Sequence, residues 1–145
     1  MVWKPHATVA AVIEQNDTFL MVEELIDDKA VINQPAGHLE DNESLIAAAI
    51  REVKEETAWD FHPTGVLGIY RWKHPTKHHT HMRTTFTGTV SQFDEQQMLD
   101  EGIIRTHWLN RQQLLKCNLR SPLVLRCIDD YLTGTCYPLS LLHDI

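Results

Sequence analysis

Long apolar runs are missing from this 145-residue chain. None approaches the roughly 18 residues that a membrane-spanning helix needs, so a membrane partner is not expected. Cysteine is scarce. Cys117, Cys127 and Cys136 are odd in number and lack metal-type spacing, which argues against a disulfide framework or a cysteine zinc site and suits reduced thiols. Glycine and proline number six each and nowhere form a linker with serine. Repeats and low-complexity segments are absent too, so one domain over 1–145 is expected. Positive charge is short, with 13 Lys+Arg against 20 Asp+Glu and a net charge of −7. Such a balance argues against a nucleic-acid duplex as partner, since those binders are usually basic. An acidic chain still holds a small anionic ligand where a metal and a few arginines invert the local field. The opening Met-Val-Trp-Lys-Pro-His has no signal-peptide apolar region, and a cytoplasmic location is the expectation.

What is present is a mixture of strand and helix signals. Thr8 to Ile13 is apolar and β-branched, Asn16-Asp17 signals a turn, and Thr18 to Val22 supplies a second strand of a hairpin. Gln34-Pro35-Ala36-Gly37 reads as a loop, and Asp41 or Asn42 as the N-cap of the helix that follows. In that helix Ile46, Ile50 and Val53 recur at helical spacing and are expected to face the core, leaving an acidic face free. Val66 to Trp72, Met82 to Val90 and Ile103 to Leu109 read as further strands. In the second of these, Met82, Phe86 and Val90 share one face, and Arg83, Thr85, Thr87 and Thr89 the other. Asn110 caps a short helix over Arg111 to Lys116. A last helix carries Ser121 at its N-cap, Pro122 at its first position and Gly134 past its end. Strands mixed with helices in this order suggest an α/β fold with a sheet between helices.

The most informative stretch is residues 37–56. A glycine turn enters a helix whose last turns carry Glu52, Glu55 and Glu56 at i, i+3 and i+4, so their side chains are neighbours. Like charges at that spacing repel by a few tenths of a kcal/mol per pair. A hard divalent ion such as Mg2+ offsets the repulsion and prefers oxygen ligands. A solvated acidic face, with Arg51 paired to Glu55, is the competing reading of the three acids alone.

The register of the surrounding residues separates the two. Gly37, Glu43, Arg51, Glu52, Val53, Glu55 and Glu56 fit the pattern of glycine, five residues, glutamate, seven residues, then Arg-Glu-aliphatic-any-Glu-Glu. The stretch resembles the Nudix box. Ala58 stands where that family has glycine and Trp59 where it has an aliphatic residue. Alanine there costs roughly 1 kcal/mol if the backbone stays left-handed. Further segments, at Lys4 to Ala10, Asn33 to Glu40, Asn118 to Val124 and Tyr137-Pro138-Leu139, look like the NudJ-type phosphatases of the family.

The resemblance implies an α/β/α sandwich around a mixed central sheet and Mg2+ as cofactor, with Mn2+ as a substitute. It implies metal binding by Glu52, Glu55, Glu56 and the carbonyl of Ala36, with Arg51 orienting Glu52 and with Gly37 and Glu43 setting the loop–helix geometry. Glu52 is the first choice as base or base-positioning ligand, and Asp100 and Glu101, before the last strand, are the distal candidates. The partner implied is a small-molecule phosphoanhydride: nucleoside di- and triphosphates and hydroxymethylpyrimidine pyrophosphate, a thiamin precursor, hydrolysed with release of orthophosphate. Two alternatives stay open: a pyrophosphohydrolase of nucleoside diphosphate sugars or dinucleoside polyphosphates, and a catalytically silent domain that senses a nucleotide.

Outside the box, Arg83 is a candidate for a substrate phosphate, because a guanidinium donates in a bidentate fork. Arg120 is a second candidate. His74, His78, His79 and His81 lie in a loop-like stretch with Lys73 and Lys77. His79 and His81 share a face if extended, as zinc ligands do, but no cysteine or acid nearby in sequence completes a tetrahedral set. A solvated basic loop near the substrate entrance is the expectation for this stretch. Tyr70 and Trp72 read as packing residues, with stacking on a base as the alternative.

Overall fold

The computed structural model describes residues 2–145. Seven strands, β1 (His6–Gln15), β2 (Thr18–Ile26), β3 (Lys29–Asn33), β4 (Ala36–His38), β5 (Asp60–Lys73), β6 (Thr80–Ser91) and β7 (Ile103–Leu109), form a mixed sheet. Its order is β3-β2-β1-β6-β5, with β4 paired to β1 and β7 to β2. Only the β1–β6 pairing is parallel. The helices are α1 (Leu45–Thr57), α2 (Arg111–Leu114) and α3 (Leu123–Leu132).

β1 explains the layering. Val9 to Ile13 are all at most 2% exposed. Val9, Ala11 and Ile13 pack with Ala48, Ala49 and Val53 of α1, while Val12 packs with Val124, Cys127 and Ile128 of α3. A strand covered on both faces needs apolar residues at every position rather than at alternate ones. Phe86 of β6 is fully buried in the α1-side core, and its truncation to alanine costs about 3–5 kcal/mol.

Two hairpins set the register of β1, β2 and β3. Asn16-Asp17 and Asp27-Asp28 all take positive φ, as a two-residue type I′ turn requires, and Asn and Asp tolerate it. The second turn and β3 carried no signal noted in the sequence.

Helix α1 departs from expectation in three ways. Its N-cap is Ser44, whose Oγ accepts the Ala47 N–H at 3.0 Å; Asn42 instead takes a positive φ of 61° in the preceding turn. Ile50 is 38% exposed, whereas Ala48, Ala49, Glu52 and Glu56 are buried. Ala49 and Glu56 are seven residues apart and so lie on nearly the same line of the helix. The small alanines bring α1 close to the sheet, and two of the three glutamates go down with them. The acidic face is therefore not free. At the far end Ala58 keeps the left-handed conformation, φ 64° and ψ 14°, and donates to the Lys54 carbonyl.

Other boundaries shift locally. Ala36–His38 is a short strand instead of a loop. Met82 is 37% exposed and off the core, while Arg83, Thr85 and Thr87 of the supposed polar face are buried. That side of β6 lies under α3, where Thr85 Oγ1 meets Cys127 Sγ at 3.5 Å. Asn110 caps α2 in a full capping box with Gln113. The N-cap of α3 is Pro122 and not Ser121, although Ser121 Oγ still accepts the Leu123 N–H at 3.2 Å, and Gly134 follows the helix end at φ 83°.

Candidate active site

Arg51 is the hub of the box. Its guanidinium grips both oxygens of Glu43, at 3.0 and 2.7 Å, and donates to Glu52 Oε1 at 2.8 Å and Glu55 Oε2 at 3.2 Å. It also donates to the His38 carbonyl at 3.0 Å. These bonds hold Glu43 well below the usual carboxylate range and push Arg51 up, so it stays charged. Glu43 Oε1 in turn accepts the Glu40 N–H at 2.8 Å. The loop from β4 to α1 is thus tied to the helix through one bidentate pair.

Glu52 packs against the middle of β4. A Cβ on Gly37 would overlap the Glu52 carboxylate, so glycine is required there by contact with this side chain. Glu52 is 8% exposed, and burial raises its carboxyl to about 6 against the opposing pull of Arg51. Glu56, 7% exposed, accepts the Ala36 N–H at 2.9 Å through Oε1. Burial, then repulsion from Glu52, Glu24 and Asp100, pushes it up to about 9 despite that bond. Glu55 is raised by burial and by Asp100.

Carboxylate oxygens of Glu52, Glu55 and Asp100 lie within 4.8 Å of one another. Asp100 reaches α1 from the segment before β7 because its N–H bonds the Glu55 carbonyl at 3.0 Å. Glu101, next in sequence, is exposed and outside this group. Of the acids in the box, Glu56 is turned towards the backbone of β4 and is not in the group either.

A cleft of about 220 Å³ opens on the other side of β4, lined among others by Ala36, Gly37, His38, Trp72, Arg83 and Arg120. Arg83 is 5% exposed and its guanidinium is pulled down by burial. It donates to Gln34 Oε1 at 3.1 Å and Asn33 Oδ1 at 3.4 Å. Among the described residues, no carboxylate forms an ion pair with it. Arg83 is thus not a surface ion pair. Gln34 is fully buried and anchored to the Val124 carbonyl at 2.9 Å, so its oxygen is held towards Arg83. The sequence carried no assigned role for Asn33 or Gln34, although both lie in the segment before Gly37. Arg120 lies 3.6 Å from Glu24, a looser tie.

Tyr70 is committed elsewhere, donating to Asp130 Oδ2 at 2.7 Å in the α3-side core. Trp72 stacks on His81 at 5.7 Å and 22°.

Three comparisons bear on this geometry. The NUDIX domain family matches residues 4–126. The chain belongs to the Nudix family. It is 41% identical over 143 residues to the Phosphatase NudJ of Escherichia coli (strain K12), covering 98% of this chain and 93% of that one. The Shigella boydii Phosphatase NudJ matches to the same extent. A NUDIX hydrolase from Nitrosomonas europaea superposes with a TM-score of 0.96 at 46% identity, covering 98% of each chain. As a Nudix hydrolase, this chain acts on small-molecule phosphoanhydrides.

Nudix hydrolases use a divalent metal, and the residues here fit one. The donors are carboxylate oxygens, the hard ligands that divalent ions of this class take. Glu52, Glu55 and Glu56 are all raised above the ordinary carboxylate value, the signature of acids crowded and desolvated without a compensating charge. No helix of the described residues is long and apolar enough to cross a membrane.

Proposed function

We propose that the chain, acting as one domain over 1–145 in the cytoplasm, is a Mg2+-dependent phosphatase. Its substrates are nucleoside di- and triphosphates and hydroxymethylpyrimidine pyrophosphate, and it releases orthophosphate. The observation that carries the reading is the arrangement across β4: a carboxylate group of Glu52, Glu55 and Asp100 on one side, and Arg83, buried with no paired acid, on the other. A polyphosphate supplies the negative charge that Arg83 lacks. The full-length likeness to proteins called Phosphatase NudJ supports orthophosphate as the product.

In this reading Glu52 and Glu55, with Asp100 and the Ala36 carbonyl, hold the ion, and Glu56 supports it from the β4 side. Bound Mg2+ supplies charge neutralisation on the phosphoryl oxygens. Arg51 orients the Glu52 carboxylate through its 2.8 Å bond, and the Glu43 pair keeps Arg51 from swinging away. Glu52 is the base or base-positioning ligand for the attacking water. Arg83 and Arg120 bind the phosphates in the cleft, where the fork geometry of a guanidinium favours phosphate oxygens.

The test is product identification. Nucleotides and hydroxymethylpyrimidine pyrophosphate are incubated with and without Mg2+, and the phosphate products are separated. Orthophosphate as the sole inorganic product, only with Mg2+, is the expected result. Pyrophosphate, or two monophosphates from a sugar-linked or dinucleoside substrate, would establish a pyrophosphohydrolase instead. Tight nucleotide binding without turnover would establish a sensor.

A further inference from the structure

The histidines of the β5–β6 turn do not stand alone. His6 at the start of β1 pairs in register with His81 of β6, and β4 runs back along β1 so that His38 comes beside them. His79 closes the group from the turn, whose ends are joined by the His74 N–H to His79 carbonyl bond at 2.9 Å. Four imidazoles from three strands and a turn thus meet at the wall where the cleft widens past Trp72 into a second hollow of about 650 Å³.

Their spacing is informative. Ring centroids lie 4.7 Å apart for His6–His79, 5.5 Å for His6–His38, 5.6 Å for His6–His81, 6.3 Å for His79–His81 and 6.5 Å for His38–His81. A tetrahedral ion with metal–nitrogen bonds of about 2.0 Å places its imidazole centroids about 5 Å from one another. The three His6 separations stand near that spacing and the two wider ones exceed it, so an ion bound here would have to draw the rings inward by rotation about their side-chain bonds.

The nitrogens are also uncommitted. His62 bonds Ser91, His74 accepts from Thr76 and Lys77, and His107 bonds Glu23. Among the described residues, none of the four clustered rings has such a partner. Trp72 stacks on His81 and limits how that ring turns.

We propose that His6, His38, His79 and His81 form a second metal site, selective for a nitrogen-preferring transition ion such as Zn2+ or Co2+ and separate from the carboxylate group. The division follows from ligand chemistry. Oxygen donors suit Mg2+, while imidazole suits zinc and its neighbours in the first transition row. His81 is held at about 4 by burial and by the other rings, so at neutral pH it offers a lone pair instead of a positive charge.

The test uses the intact protein in excess Mg2+, which occupies the carboxylate group. Co2+ is titrated by calorimetry and visible absorption, then displaced with Zn2+. The expected result is one ion per chain with the intense visible bands of four-coordinate Co2+. His6→Ala and His81→Ala each weaken binding by at least about 100-fold, more than the loss of an outer partner does. Glu52→Gln and His78→Ala leave it unchanged. Circular dichroism confirms that each variant is folded, and His6, at the first residue of β1, gives a readout even if His81→Ala does not fold. Absence of saturable Co2+ or Zn2+ binding in excess Mg2+ would overturn the proposal. So would equal affinity in His6→Ala, or loss of the site in Glu52→Gln.

Discussion

Glu56 offers the sharpest quantitative prediction. It is 7% exposed and its carboxyl stands at about 9 in the folded chain against an ordinary 4.5. A folded-state value above the unfolded one means that the folded form holds the proton longer. Glu56 therefore contributes stability that is complete below about pH 4.5 and disappears as pH rises through about 9. Within that window the folded chain carries close to one more proton than the unfolded chain, so stability falls by about 1.4 kcal/mol per pH unit. From pH 7 to pH 8.5 the metal-free protein should lose about 2 kcal/mol. The range lies above the window in which His81, depressed to about 4, contributes in the opposite direction. Glu56→Gln keeps an oxygen for the Ala36 N–H and has no proton to lose. Urea unfolding in a chelator at pH 7, 7.75 and 8.5 measures both proteins. Wild type should slope downward, Glu56→Gln should be nearly flat, and the variant should be the more stable at pH 8.5. A flat wild-type profile, or an equal slope in the variant, would refute the assignment of the shift to burial of Glu56.

Three further outcomes follow from the site. Gly37→Ala puts a methyl where the Glu52 carboxylate sits; displacing that group by about 1 Å should lower kcat by about 100-fold with the circular dichroism spectrum unchanged. Asp100→Asn should weaken activating Mg2+ at least about tenfold in titrations of turnover, whereas Glu101→Gln, outside the carboxylate group, should match wild type. Arg83→Met removes a buried cation that has no paired acid, so the ligand-free protein should hold its melting temperature or gain a few degrees. The same change should lower kcat/KM by at least about 100-fold, and a variant with normal kinetics would remove Arg83 from substrate binding.

Much of the architecture was legible because it is local. The two-residue turn at Asn16-Asp17, the apolar strand at Thr8–Ile13, the capping residue Asn110 and the span of β7 all follow from spacing and turn chemistry within a few residues. The errors were also local in form but tertiary in cause. Ile50 sits at apolar spacing yet faces out, because Ala48 and Ala49 let α1 settle on a different line. Met82 alternates correctly with Phe86 but lies where β6 emerges from the core. Asn42 is a good cap residue that the chain uses instead for a left-handed turn, leaving the cap to Ser44.

The order of residues 37–56 was enough to name the chemistry, through its likeness to the Nudix box. A glycine, a spaced glutamate and Arg-Glu-Val-Lys-Glu-Glu at helical period put acids, arginine and turn in one register, and that register depends only on helix geometry. Tertiary structure decided what each of those acids does. Burial separates Glu52, Glu55 and Glu56 into different environments, and a backbone bond brings Asp100 to the group while leaving Glu101 outside. The parallel pairing of β1 with β6 isolates Arg83 beneath α3 and gathers His6 with His81. Desolvation and long-range strand pairing act between residues tens of positions apart, so no local pattern could carry them.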